Sequence, residues 1–156
     1  MEASIFISGL FHLPIVCEAL SNAGLSPIIH SSYPKFRLKK RLTQNCEINS
    51  YPRKEVLARL PNIFFKDKPL ALSHIFQRDT KKSIERLDSP LAIGWAGHSL
   101  DLLVASEAKN IPVILERGST HIIWQRDRLL EAYDAAGIRP NMKLIPTEAY
   151  IEAEML

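Results

Sequence analysis

The feature that most narrows the fold is a rhythm of short apolar runs, each too brief for a core-spanning helix, separated by stretches with helical spacing. The runs are residues 3–8 (A-S-I-F-I-S), 27–30 (P-I-I-H), 91–96 (L-A-I-G-W-A) and 111–116 (I-P-V-I-L-E). Continuous apolar runs of this length suit strands buried on both faces. Between them, residues 13–23 carry Ile15, Val16, Ala19 and Leu20 at helical spacing, and 99–110 and 121–136 read as helices, with Gly24 and Gly137 as terminators. The opening third is therefore a β-α-β unit with a right-handed crossover. Strands alternating with helices predict an α/β fold, a Rossmann-like parallel sheet flanked by helices. At 156 residues the chain suits a single domain.

The middle is less regular. Lys35, Arg37, Lys39, Lys40 and Arg41 cluster around Phe36 and Leu38, ahead of a strand at 46–50 and helices at 53–60 and 69–87. The longer helix opens with Pro69 near its first turn and sets Leu72, Ile75, Phe76 and Ile84 largely on one side. This predicts a helical, basic insert on the α/β frame. A further helix begins at residue 147.

Composition removes several classes. With 46% hydrophobic and 24% charged residues the chain is neither disordered nor fibrous. No run approaches the ~18 apolar residues of a spanning helix. A net charge of +3 is too mild to imply nucleic acid as a partner. Residues 1–10 have no basic n-region and no small-residue cleavage site, so they read as a strand, and a cytoplasmic chain is the default expectation. The run 35–41 reads either as a solvated face or as an electrostatic approach site for an anionic acceptor or for an anionic membrane surface, a peripheral contact. Cys17 and Cys46 show no C-x-x-C spacing and read as free, buried thiols. His12, His30 and His74 lack metal-ligand spacing, so neither metal nor cofactor is expected. Trp95 and Trp124 read as packing residues.

Chemistry in a parallel α/β sheet gathers at the carboxyl ends of the strands. Three strand-to-helix junctions qualify: Gly9-Leu10-Phe11-His12, Gly97-His98-Ser99, and Arg117-Gly118-Ser119-Thr120-His121. The third is the richest. Glycine permits close backbone approach, Ser119 and Thr120 can cap a helix or bind hydroxyls, Arg117 can hold an anion, and His121 can exchange protons near neutral pH. The plainer reading makes Ser119 or Thr120 a cap and His121 a surface residue. Gly97-His98-Ser99 can equally be a simple helix start, with Asp101 suiting the first turn. Gly9 falls short of a G-x-G-x-x-G fingerprint, so no dinucleotide is implied.

The stretch 91–133, with G-H-S-L-D-L-L-V-A-S-E-A-K-N-I-P-V-I-L-E-R-G-S-T-H-I-I-W-Q-R-D-R-L-L-E-A-Y, resembles the N-terminal domain of group 1 glycosyltransferases, the retaining nucleotide-sugar enzymes of GT-B fold. R-G-S-T-H is similar to that family's R-G-S-x-H loop. Residues 148–156 resemble the family's E-x-Y-x-x-A-D-x-I-x-V-P-S passage into the second domain, with Glu154 at the Asp position. The likeness covers the last 65 or so residues well, residues 3–23 loosely and 35–87 hardly at all.

The resemblance implies the N-terminal, acceptor-side half of a GT-B enzyme that moves a sugar from a nucleotide-sugar donor to an acceptor hydroxyl with retention. It implies His121 as the catalytic-cleft histidine, Gly118 and Ser119 as the substrate-facing loop, beside which Arg117 is a substrate-binding candidate, and Gly97, His98 and Ser99 as the polar loop of the preceding strand. Paired glycines after the first strand are common in the family; here Gly9 is followed by Leu10. The donor half would lie in a C-terminal domain, so the isolated domain is expected to be inactive. An exposed interdomain surface with Tyr150, Ile151, Met155 and Leu156 is then expected to support self-association. The competing expectations are a non-catalytic α/β module that binds an anionic ligand or a partner protein, and a membrane-surface adaptor.

Overall fold

The computed structural model describes residues 1–42, 45–117, 121–142 and 144–155. Five parallel strands, β1 (Glu2–Ile7), β2 (Ser26–Ser31), β3 (Glu47–Ser50), β4 (Ala92–Trp95) and β5 (Val113–Glu116), form one sheet in the order β3-β2-β1-β4-β5. The helices are α1 (Leu13–Asn22), α2 (Lys35–Lys39), α3 (Arg53–Leu57), α4 (Lys68–Glu85), α5 (Leu100–Ala108), α6 (Ile122–Ala135) and α7 (Glu148–Met155), with a 3-10 turn at Asn62–Phe64. The expected Rossmann-like α/β architecture is the one the chain adopts.

Strand alternation divides the core between two faces. Ala3, Ile5 and Ile7 of β1 pack with Leu13, Cys17, Leu20 and Leu38 on the side of α1 and α2. Phe6 packs with Ile84, Leu87 and Leu102 on the side of α4 and α5. Both strand faces are thereby dry, which is why β1 reads as a continuous apolar run.

The basic, helical middle joins the frame through β3, which pairs with β2 as the sheet edge. Leu38 is fully buried while Phe36 is exposed, so α2 contributes one apolar anchor and turns its cations outward. Lys68 and Pro69 open α4, and Asp67 caps it by accepting from the Leu70 amide at 3.1 Å. Cys17 is buried and free, and Cys46 is free and half-buried. Trp95 belongs to the core, whereas Trp124 is exposed on α6 with Arg128 over its ring at 5.7 Å.

His30 stacks on Phe6 with ring centroids 4.3 Å apart. Its Nδ1 lies 3.2 Å from the Tyr51 hydroxyl, which is 2.7 Å from the hydroxyl of Ser83. Burial lowers its pKa to about 4, with Glu47 opposing the shift. It is a satisfied core histidine. Ile151, expected to lack partners, is buried at 5% exposure because α7 packs on α4 and α6. The side chains of Met155 and Leu156 lie outside the described residues. Among the described residues no helix is long and apolar enough to cross a membrane.

Candidate functional site

Strand order reverses between β1 and β4, so the loops that leave their carboxyl ends diverge and open a crevice. Ser8 to His12 follow β1 and Ala96 to Ser99 follow β4 at this point. The β1 loop is tight: Phe11 has φ +27°, and a Cβ on Gly9 would stand 2.4 Å from the Phe11 ring. Gly97 turns the chain out of β4 with φ +82°, a conformation that L side chains adopt at a cost.

His98 is held by the middle of α4. The Ser73 hydroxyl donates to the Gly97 carbonyl at 2.5 Å and accepts from the Gln77 amide at 3.2 Å, and it lies 2.8 Å from His98 Nδ1. With its one proton committed to Gly97, Ser73 can only accept from the imidazole. Nδ1 therefore carries the hydrogen, and Nε2 is left with a lone pair. Phe76 packs edge-on against the ring at 6.1 Å. Burial, then the Lys54 cation, lower the His98 pKa to about 4, so the ring is neutral at neutral pH.

Lys54 comes from α3, just beyond the end of β3. Its Nζ donates to the Ser8 carbonyl at 2.7 Å and lies 3.6 Å from Glu55 Oε1. Ser32, after β2, is 2.6 Å from the same carboxylate oxygen and 2.9 Å from the Ser8 carbonyl, with one proton for both. Burial lowers the Lys54 pKa, and Glu55 partly restores it. The ends of β1, β2 and β3 are thus tied together around one cation. Across the crevice His12 Nδ1 lies 2.7 Å from Glu116 Oε1, which links the β1 loop to the end of β5.

The sequence-derived residues divide among these surroundings. Gly9, Gly97 and His98 stand at the crevice. Ser99 is 3% exposed and its hydroxyl donates to the Trp95 carbonyl at 2.8 Å, so that group is occupied by the fold. Arg117 is exposed beyond β5, and His121 is exposed at the N-terminal boundary of α6, where its side chain makes no capping bond. Gly118 and Ser119, with Thr120, lie outside the described residues.

Sequence reasoning missed Lys54, Glu55, Ser32 and Ser73. Assigning β3 as a sheet strand marks the segment after it as another carboxyl-end loop, which is the signal for Lys54 and Glu55. Ser73 sits inside a long helix and offers no comparable signal. Chemically, the crevice presents a neutral imidazole acceptor, suited to a hydroxyl, beside a half-buried ammonium suited to an anionic oxygen.

No family model and no curated protein matches the chain. Among solved structures, the C-terminal domain of a hydrogenase from Pyrococcus furiosus is similar at 16% identity and TM-score 0.48, over 74% of this chain and 88% of that one. A UGT transferase from Siraitia grosvenorii in complex with UDP is similar at 13% identity and TM-score 0.45. That likeness covers 87% of this chain, which spans 28% of the transferase.

Proposed function

We propose that the chain is the acceptor-side, N-terminal domain of a glycosyltransferase, whose complete enzyme transfers a sugar from a nucleotide-sugar to an acceptor hydroxyl with retention. The observation that carries this reading is His98: a neutral imidazole with its Nδ1 hydrogen committed to Ser73 and a lone pair on Nε2, at the switch point of a parallel sheet. The residues of the stretch 91–133 supply the resemblance that turns this acceptor into a glycosyl-transfer site.

In the reaction the acceptor oxygen bonds to the anomeric carbon of the donor while the bond from that carbon to the phosphate oxygen breaks. The bonding electrons leave with the nucleoside diphosphate, and the acceptor proton leaves with it too. A group with pKa about 4 is a weak proton acceptor at neutral pH. His98 therefore orients the acceptor hydroxyl through a hydrogen bond to Nε2 and does not keep its proton. His121 is assigned the catalytic contact and Arg117, Gly118 and Ser119 the adjoining substrate loop, on the strength of the R-G-S-x-H resemblance. Cationic groups and amides that stabilise a leaving phosphate act without reorganisation and account for much of the rate in such chemistry.

The test is a screen of nucleotide-sugars and hydroxyl acceptors with the full-length protein beside this chain, read as nucleoside diphosphate released and glycoside formed. Transfer by the full-length protein, weakened in His121→Ala, is the expected result. Saturable anion binding with no transfer from any donor would leave the chain a non-catalytic binding module.

A further inference from the structure

A cavity of about 700 Å³ opens at the start of α4. That volume falls in the ~300–1,000 Å³ range of sites that enclose a drug-sized ligand. Pro69 lines it, and Ser73, the partner of His98, lies about one helical turn further along the same helix, about 6 Å by helix rise. Ile122 also lines it and directly follows His121. The helices that line the cavity are thus the ones that carry Ser73 and follow His121, although neither histidine is among its lining residues.

Its lining is mixed, and the apolar wall is built by Ile63 and Phe65 from the segment before α4, Ile122 from α6, and Met142, Leu144 and Ile145 from the segment before α7. The apolar character continues outward, with Ile63 87%, Phe64 66%, Met142 70% and Leu144 61% exposed. Single exposed apolar residues are ordinary, but Ile63, Met142 and Leu144, from two distant segments and all lining the cavity, form a patch that calls for an occupant.

The polar groups of the cavity are unevenly available. Asp67 uses one carboxylate oxygen on the Leu70 amide and the other on the Thr147 hydroxyl. Thr147 in turn accepts from the Tyr150 amide at 3.2 Å. Lys68 is held at the rim by donating to the Leu60 carbonyl at 2.7 Å and lies 5.8 Å over the Phe65 ring, which leaves two of its three N–H donors. Lys66 lines the cavity and forms no ion pair with another described residue. Asn62 and Gln125 add side-chain amides to the lining, so what sets the cavity apart is its apolar wall beside two ammonium groups. An alkyl chain loses nothing there, and an anionic head finds two ammonium groups.

We propose that this cavity binds the apolar chain of an amphiphile with an anionic head, seated between Ile63, Phe65, Ile122 and Leu144 with its head beside Lys66 and Lys68. The proposal rests on the glycosyltransferase reading in one respect, that this amphiphile is the acceptor whose hydroxyl reaches the neighbouring histidines. The same chemistry can arrive as a dissolved amphiphile or from an anionic bilayer.

The experiment titrates the chain by calorimetry with decyl phosphate below its micellar concentration, with decanol and with inorganic phosphate, in the absence of any sugar donor. Decyl phosphate is expected to bind saturably, decanol about tenfold more weakly and inorganic phosphate not at all. Leu144→Asp and Lys66→Glu, both at surface positions, are expected to lose about tenfold or more in affinity with unchanged thermal unfolding. A Lys39→Ala, Lys40→Ala, Arg41→Ala variant on and beside α2 is expected to bind like the wild type.

Co-sedimentation with phosphatidylcholine vesicles, with and without dihexadecyl phosphate, separates the sources. Capture that needs the anionic lipid and is lost in Leu144→Asp assigns a bilayer lipid; monomer binding without capture assigns a dissolved one. Absence of decyl phosphate binding, equal binding by Leu144→Asp and Lys66→Glu, or equal binding of inorganic phosphate overturns the proposal. Sugar transfer to water-soluble acceptors without decyl phosphate binding overturns it while leaving the glycosyltransferase reading intact. Decyl phosphate binding without any sugar transfer does the reverse.

Discussion

Two neighbouring strand ends carry histidine-bearing junctions and differ in almost every physical respect. β4 is buried along its whole length, and its junction is locked: Ser99 is bonded to the Trp95 carbonyl, and His98 to Ser73. β5 is the sheet edge, with Ile114 53% and Leu115 46% exposed on its two faces, and it leads to a histidine at the surface. A locked junction fixes the orientation and charge of its imidazole in advance. Beyond the edge strand, His121 is exposed and no capping bond orients its imidazole. The difference teaches that side-chain chemistry at a strand end is inherited from how deeply that strand sits in the sheet.

The largest effect that sharpens this contrast is expected from His121→Ala. Removing an exposed side chain with no capping bond should leave the melting temperature unchanged. Loss of a contact made in the transition state typically lowers turnover by two to three decades, or about 2.7–4 kcal/mol. If the proposed transfer holds, turnover of the variant beside its melting curve checks this, and wild-type turnover would remove His121 from the site.

At β4 the expectation is structural. A Cβ on Gly94 would lie 2.3 Å from Ser99 Oγ and 2.9 Å from Leu102 Cδ2, and Ser99 cannot yield without releasing its bond to Trp95. Gly94→Ala should therefore cost about 1–3 kcal/mol by overpacking, measured by urea denaturation. A variant as stable as the wild type would show that the β4 junction is not locked.

The pH dependence follows from His98 and His30, both lowered from 6.5 to about 4. A folded pKa below the unfolded one means that the unfolded chain binds the extra protons. The contribution of each imidazole is complete above about pH 6.5 and is lost as pH falls toward 4. At pH 5 the loss is about 1–2 kcal/mol per imidazole. His98→Gln and His30→Gln should each flatten the fall in urea midpoint between pH 7 and 5, and an unchanged slope would contradict burial of the ring.

The smallest effect is expected at the edge. Ile114→Lys on β5 should change stability by no more than about 0.5 kcal/mol, since the side chain is half in solvent. It should nonetheless reduce self-association, because an open apolar edge strand is a template for pairing. Sedimentation velocity at high concentration reads this directly, and an association constant equal to the wild type would clear the β5 edge of a role.

The sequence alone determined the strand and helix succession, because buried parallel strands write themselves as unbroken apolar runs such as A-S-I-F-I-S and because helices carry a different period. It also determined which junctions could hold chemistry, since glycine beside histidine at a strand end is a local signal. Tertiary structure decided which groups meet. Lys54, Ser32 and Ser8 come together because β1, β2 and β3 end side by side, and Ser73 meets His98 because α4 lies under the β4 junction. Residues 25 or 46 positions apart share no pattern that a linear reading can detect. The neutral state of His98 is decided at the same level, because burial and a neighbouring ammonium are properties of the packed chain, whereas the imidazole itself is a property of the sequence.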